Sequence, residues 1–578
     1  MQSASVVNTL DSFGGGVPPP LSVLGPGLTD GANSYLLFGD FDTGVYATGP
    51  SAKNRSTQLN FADDLTVVRG THQLKFGADY RAIYLDVRPY QSAINYIVFD
   101  LPTFLSTGQA LLQGESTHPS QFLVQSTSLY GQDTWKVTSR LTLIYGLRWE
   151  LDPAPSARGG TMLASWEHVG QPAELALAPV GTPLWGTTYT DFAPRFGAAY
   201  MLTPNGDFVL RGGVGIFYDS GADAAGYLAS SFPNDSVNCC ASASLPVSDA
   251  TTYLPIISTQ PPYGGIVRGY SPNLKLPRSY QWNVALEKSF GGKQAVSITY
   301  LGQTGRNLLR EEGLPQPNAN FASTFILTEN DAHSNYNALQ LQFRRPVSNR
   351  LQALLNYTWS HSLDNASNDV INAVSNVVIS TANDYASSSF DVRQSFSGAL
   401  VYSFPTASKG RVLEQLSKNW SVETQVVART GFPFNGTVLT ANIGGANPRP
   451  DLVPGQPIWI ANAQAGGGKS LNPNAFTLPP SGEQGTEGRN DIRGFGLTEV
   501  DASFSRKFPI TERLNLQFRA DAFNLFNHPN FANPFAYVGL GPTYLSSSSM
   551  LNHGLGGLNP LFQEGGPRSL QLSLKLTF

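Results

Sequence analysis

The chain has 578 residues, including 57 Gly and 40 Pro, while Asp, Glu, Lys and Arg together make up only 13%. That charged share is about half of what a soluble globular protein carries, and an aromatic content of 11% is too high for a disordered one. A net charge of −4 excludes the basic surface of a nucleic-acid binder, and two cysteines exclude a disulfide framework or a zinc cluster.

The opening MQSASVVNTLDSFGGG has neither the basic nor the apolar region of a secretory signal. No apolar run is long enough for a helical membrane span. Residues 1–32 read as an irregular N-terminal segment, and Asn33 to Phe41 as the first strand of one architecture that runs to Phe578.

From there on, strict alternation of apolar and polar residues dominates, which places alternate side chains on opposite faces of a strand. Leu141, Leu143, Tyr145, Leu147 and Trp149 share a face. Trp282, Val284 and Leu286 alternate with Gln281, Asn283 and Glu287, and Leu339, Leu341 and Phe343 with Gln340, Gln342 and Arg344. Leu514, Leu516, Phe518, Ala520 and Ala522 oppose Asn515, Gln517, Arg519 and Asp521. At the end, Leu570, Leu572, Leu574, Leu576 and Phe578 oppose Gln571, Ser573, Lys575 and Thr577. Such segments of about 10 residues suit a tilted strand crossing a bilayer.

The connections sort into two kinds. Short turns are predicted at Arg69 to Gln73, Thr138 to Arg140, Thr203 to Asp207, Gly291 to Lys293, Pro346 to Arg350 and Pro509 to Glu512, with a longer one from Pro405 to Asn419. Between them lie long stretches rich in Gly, Pro, Asn and Ser, such as Asp152 to Asp191, Ser220 to Pro277 and Gly431 to Leu497. Trp135, Phe208, Phe290, Phe343, Phe404, Trp420, Phe508 and Phe578 fall beside short turns; Trp149, Tyr218, Tyr300, Tyr357 and Trp359 fall toward long loops. Two aromatic belts and alternating short and long connections predict an all-β, antiparallel transmembrane β-barrel over residues 33–578, with roughly 16 strands in this chain. Hydrocarbon cannot satisfy backbone N–H and C=O groups, so the sheet must close with apolar side chains toward lipid and polar ones toward a lumen.

Candidate chemistry is sparse. AGGGKS at 465–470 has the look of a phosphate loop, but Ala463 replaces the first Gly, Pro473 follows, and no strand–loop–helix frame surrounds it, so an exposed loop is expected. Cys239 and Cys240 are adjacent in a long loop, and the seven histidines show no metal-ligand spacing. No catalytic residue, cofactor site or metal site is expected, and the protein is not read as an enzyme. Glu287, Arg344, Arg519, Asp521 and Lys575 are expected to face the lumen.

Several phrases carry a family resemblance: LYGQDTWKVTSRLTLIYGLRWE at 129–150, APRFGAAY at 193–200, VLRGGVGIFYD at 209–219, YQWNVALEKSF at 280–290, YNALQLQF at 336–343 and NYTWSHSLDNAS at 356–367. GRNDIRG at 488–494, DASFSRKF at 501–508, FRADAFNLFNHPNF at 518–531 and the terminal RSLQLSLKLTF continue it. Together they resemble the TonB-dependent, Oar-like outer-membrane receptors. The resemblance implies a bacterial outer-membrane protein with a 22-stranded barrel, an N-terminal plug, a signal peptide, a carboxypeptidase-regulatory-like sandwich and a TonB-contacting segment. It further implies uptake of a bulky, unidentified solute.

None of those N-terminal parts is recognised here, so the chain is expected to be a C-terminal barrel portion, with the TonB complex acting only through a region outside it. A self-closing 16-strand pore, or a surface adhesion or structural protein, is the alternative. Leu570, Leu572, Leu574, Leu576 and Phe578 resemble the signal by which the barrel-assembly machinery recognises a last strand, through strand addition. Outer-membrane lipid is the remaining expected partner.

Overall fold

The computed structural model describes residues 2–4, 27, 34–40, 44–48, 53–88, 90–98, 101–220, 228–245, 247–291, 293–348, 350–367, 377–378, 384–406, 410–439, 447–511, 513–551 and 565–578. Most of the predicted N-terminal segment 1–32, and the flanking Asn33 and Phe41, lie outside them. No helix among the described residues is long and apolar enough to cross a membrane; the long elements are strands.

The principal sheet contains twenty strands, five of them pieces of two to four residues. The other fifteen form a single antiparallel meander: β1 (Lys53–Arg69), β2 (His72–Val87), β3 (Ser120–Lys136), β4 (Leu141–Leu151), β5 (Asp191–Met201), β6 (Phe208–Tyr218), β7 (Arg278–Phe290) and β8 (Gln294–Leu314). It continues through β9 (Phe325–Ser348), β10 (Leu351–Asp364), β11 (Gln394–Ser403), β12 (Trp420–Arg429), β13 (Leu497–Pro509), β14 (Asn515–Phe523) and β15 (Ser569–Thr577). Each is hydrogen-bonded in register to the next, from Arg69 opposite His72 at the first hairpin to Leu516 opposite Leu576 at the last pair. All seven predicted short turns join consecutive strands at one end, and every long connection lies at the other.

Alternation decides which face meets which solvent. Phe61 (68% exposed), Leu129, Val214 and Val284 (53%) project from one face of their strands, leaving apolar area on the outside that lipid, not water, would cover. At the short-turn end this face carries stacked rings. Trp420 lies on Phe504 at 4.4 Å, Phe404 meets Phe504 edge-on, and the Arg506 guanidinium sits over Trp420 and Phe508. Such amphipathic side chains belong at a membrane–water boundary.

The predicted first strand, Asn33 to Phe41, needs correction. Ser34–Asp40 is a strand, but it lies in a separate five-stranded sheet with Gly44–Thr48, Ser92–Val98, Gln109–Thr117 and Asp235–Ser244. The meander therefore starts at Lys53. Asp63 and Asp64 interrupt the alternation of that strand, which hides it in the sequence.

The outer strands of the meander are each paired along one side. β1 is bonded to β2, and on its far side Lys53, Asn54 and Arg55 pair with Ala4, Ser3 and Gln2. Among the described residues β15 is bonded to β14, and its residues are exposed at every position but one.

Candidate functional site: the polar face and the long-loop end

The face opposite the apolar one is polar and joined by ion pairs across strands. Register places Glu423 (β12), Ser503 (β13) and Asp521 (β14) in one row. Arg519 spans that row: its Nη1 donates to Glu423 Oε2 at 2.8 Å, its Nε to Asp521 Oδ1 at 2.7 Å and its Nη2 to Ser503 Oγ at 2.8 Å. Farther round, Arg211 of β6 lies 3.6 Å from Glu287 of β7. Of the charges expected on this face, Arg519 and Asp521 are thus brought together and Glu287 pairs with Arg211. Arg344 lies opposite Ala295 and Leu354, and Lys575 opposite Gln517, apart from that cluster.

Near the long-loop end, Asp79 of β2, Ser128 of β3 and Glu150 of β4 form a second row, with Arg81 and Arg148 one step along on either side. They line a polar cavity of about 120 Å³ that Tyr218 of β6 also borders. Asp219, Ser220 and Leu276 of the β6–β7 connection close its rim.

At the long-loop end the connections fold into cores of their own. Trp166, fully buried, packs against Phe232, Tyr263, Phe321 and Phe325, gathering three connections and the start of β9 into one aromatic cluster. The β12–β13 connection builds another core around Leu471, Phe476 and Ile492, which the β14–β15 connection completes through Ala536, Val538 and Leu545.

The phrases that carry the family resemblance sit at these junctions. In GRNDIRG, Arg489 donates to the carbonyls of Asp364 (2.7 Å) and Asp384 (3.0 Å) and pairs with the Asp364 carboxylate; Arg493 pairs with Asp391. With Arg449 against Asp384 at 3.0 Å, three arginines tie the β12–β13 connection to the β10–β11 connection. In the FNLFNHPNF stretch, Asn524 takes a positive φ of 46° and closes the turn, its Nδ2 donating to the carbonyls of His528 (2.8 Å) and Gly566 (2.7 Å). The sequence marked these residues only as part of a resemblance; the partners of Arg489 and Arg493 lie a hundred or more positions away, beyond any local pattern.

AGGGKS holds no phosphate-loop geometry. Gly466–Gly468 is a single short turn, and Lys469 begins a three-residue strand, its Nζ 4.1 Å from the Trp459 ring centroid and 4.8 Å from that of Phe495. Burial there lowers the pKa of its ammonium. Glu487 is sealed in the same loop core and accepts from the Gly436 N–H; burial raises its pKa to about 7. Cys239 is disulfide-bonded, in a sequence whose only other cysteine is Cys240. Among the described residues no three His, Cys, Asp or Glu side chains are grouped to hold a metal ion; His553 lies outside them. The terminal Leu570, Leu572, Leu574, Leu576 and Phe578 are 52–94% exposed, on the strand with one free edge.

Comparison with known proteins agrees with this architecture. The family described as "Outer membrane beta barrel domain" matches residues 4–556. No curated protein matches the chain. Among solved structures it is similar to the outer membrane transporter YddB from Escherichia coli, with 11% identity and a TM-score of 0.53, over 94% of this chain and 58% of YddB. It is similar also to the ferric-catecholate import receptor Fiu from E. coli K12, with 11% identity and a TM-score of 0.46, over 92% of this chain and 56% of Fiu. A ferric enterobactin receptor, PfeA from Pseudomonas aeruginosa, gives 13% identity and a TM-score of 0.46, over 92% of this chain and 55% of PfeA. The chain spans somewhat more than half the length of these structures.

Proposed function

The chain belongs to the outer membrane β-barrel domain family and lies in the bacterial outer membrane, and from that premise we propose that it forms much of the wall of a TonB-dependent receptor that imports a bulky solute. The observation that carries this reading is the combination of an ion-paired polar face with long connections that fold into packed cores at one end of the sheet. A polar inner wall carries a hydrated solute past the hydrocarbon layer, and a platform with packed cores can present a shaped surface to it. YddB, which shares the fold, is described as a transporter.

On this reading the chain is part of a larger receptor, no covalent chemistry takes place on it, and the TonB complex acts on a plug within the wall. Uptake of labelled ferric enterobactin and of a labelled oligosaccharide, compared in cells with and without TonB, tests the reading. Uptake of either that depends on both the chain and TonB is expected. Surface binding without TonB-dependent uptake would favour an adhesion role instead.

The exposed row Leu570, Leu572, Leu574, Leu576 and Phe578 is read, in the same proposal, as the feature that the barrel-assembly machinery recognises by adding a strand to the free edge of β15. Deleting Phe578 is expected to lower the fraction of chain inserted into the outer membrane. Undiminished insertion would count against this role.

A further inference from the structure

We propose that the helix Arg411–Ser417, within the connection between β11 and β12, lies in the periplasmic leaflet of the outer membrane, and that the cations around it hold the headgroups of anionic phospholipids. The contact needs only the membrane wall and is independent of what crosses it.

The helix carries an apolar stripe that stands exposed. Val412 and Leu416 are four positions apart and Leu413 and Leu416 three, so the three side chains share one face. Val412 is 73% exposed, Leu413 57% and Leu416 58%, and no residue of the helix is buried. Seven residues are too few for a helix to persist in water by itself. Its last turn is nevertheless tied down by side chains. Ser417 Oγ donates to the Glu414 carbonyl at 3.3 Å, Arg506 Nη2 to the Gln415 carbonyl, and Trp420 Nε1 to the Leu416 carbonyl at 2.7 Å. Three of the four carbonyls that a helix end leaves without an intrahelical partner are thus met.

The latter two donors fix the side of the wall on which the helix lies. Trp420 stands opposite Arg506 and Val422 opposite Phe504 in the β12–β13 register, and directly opposed residues share a face. That face is the lipid-facing one, because Ser421, Glu423, Ser503 and Ser505 alternate onto the polar one. The helix backbone is therefore held from the lipid side, at the short-turn end, where Trp420 stacks on Phe504. Val412, Leu413 and Leu416 continue the apolar surface past the strand ends, to the depth of the headgroup layer. Short turns face the periplasm, which makes the leaflet the periplasmic one. Because the stripe is continuous with the lipid-facing surface, lipid rather than a periplasmic protein is its occupant.

Charge selects the lipid. Residues 411–420 and 504–508 hold Arg411, Lys418, Arg506 and Lys507 against one acid, Glu414. Lys507 is kept beside the helix end by two bonds: its N–H donates to the Asn419 carbonyl at 3.2 Å, and its carbonyl accepts from Asn419 Nδ2 at 3.1 Å. A surplus of cations beside an apolar face at headgroup depth attracts anionic lipid.

The whole chain folded into vesicles of phosphatidylethanolamine and phosphatidylglycerol tests the placement. Cys239 is already disulfide-bonded, so a nitroxide can be carried on Leu416→Cys or, across the helix, on Glu414→Cys. Both positions are exposed, and resistance to heat in detergent checks that each variant keeps its fold. Collisions with dissolved oxygen should exceed those with a water-soluble nickel chelate at Leu416→Cys, and the order should reverse at Glu414→Cys. Equal ratios at the two overturn the placement. Mass spectrometry of the lipid that the chain retains on extraction from the outer membrane tests the headgroup. Phosphatidylglycerol should be kept over phosphatidylethanolamine, with the preference falling about fivefold for each of Arg411→Gln, Lys418→Gln and Lys507→Gln. An unchanged preference overturns the recognition of anionic lipid. A photoreactive group on Leu416→Cys that crosslinks in whole outer membranes to a periplasmic protein instead of lipid overturns the proposal as well.

Discussion

In the spanning sheet, Val214, Val284 and Leu572 are each more than half exposed, whereas at the long-loop end Trp166, Phe325 and Leu471 are almost wholly covered. The same residue types are thus stabilised in two ways. In the sheet, the apolar partner is lipid, and the protein contributes a continuous ladder of backbone hydrogen bonds and an alternating face. At the loop end, water is the solvent, and burial within the chain and ion pairs between distant connections supply the stability. Substitutions should therefore act on one region and leave the other intact.

The largest expected effect breaks the loop end alone. Arg489→Ala strands the Asp364 carboxylate, which is 3% exposed, without its cation. Losing one member of a buried pair costs about 4 kcal/mol. Limited proteolysis should then cut the β10–β11 and β12–β13 connections much faster, while the sheet keeps its resistance to heat in detergent. Concerted melting of both regions would show that the comparison is wrong.

Next comes the sheet. Val284→Arg puts a charge on the apolar face near the middle of β7, at a cost of about 3 kcal/mol in a bilayer, while Asn283→Arg on the polar face should cost little. Urea titration of the chain folded into lipid vesicles distinguishes the two. Equal costs would mean that both faces meet the same solvent.

The two regions were also unequally legible in the sequence. Alternation of period two and turn chemistry are local, so the strand around Val284, the turn Thr203 to Asp207 and the terminal Leu570 to Phe578 could be read directly. β1 was obscured because Asp63 and Asp64 break its pattern, and Ser34–Asp40 was assigned to the wrong sheet because a strand's period does not name its partner. The loop end was almost illegible. Arg489 and Asp364 are 125 positions apart, and only folding shows that the lysine of AGGGKS lies on Trp459.

Acidity offers a smaller and more selective probe. Burial raises Glu487 from the ordinary carboxylate value of 4.5 to about 7, so the folded loop core holds that proton more tightly than the unfolded chain does. Stability of the core is therefore greatest below pH 4.5, falls as pH rises toward about 7 and levels off above it. Pulse proteolysis of the connection across that range should show the decline in the native protein and a flat profile in Glu487→Gln. The sheet should show no matching step. A native profile that is flat or rising would sink the assignment.

Lys469 is expected to matter least, because two opposed effects meet at its ammonium. The rings of Trp459 and Phe495 attract the charge, by about 1 kcal/mol for a partly desolvated cation–π contact. Burial opposes it, as the lowered pKa of the lysine shows. Lys469→Met keeps the aliphatic stem over both rings and removes the charge, so the net change should stay below about 1 kcal/mol. Trp459 fluorescence should shift nonetheless, because the ring loses a cation 4.1 Å from its centroid. A large loss of loop stability would mean that the ammonium, rather than the apolar core around Leu471 and Phe476, holds the platform together. The contrast between a lipid-stabilised wall and a self-packed loop end would then need redrawing in terms of charge.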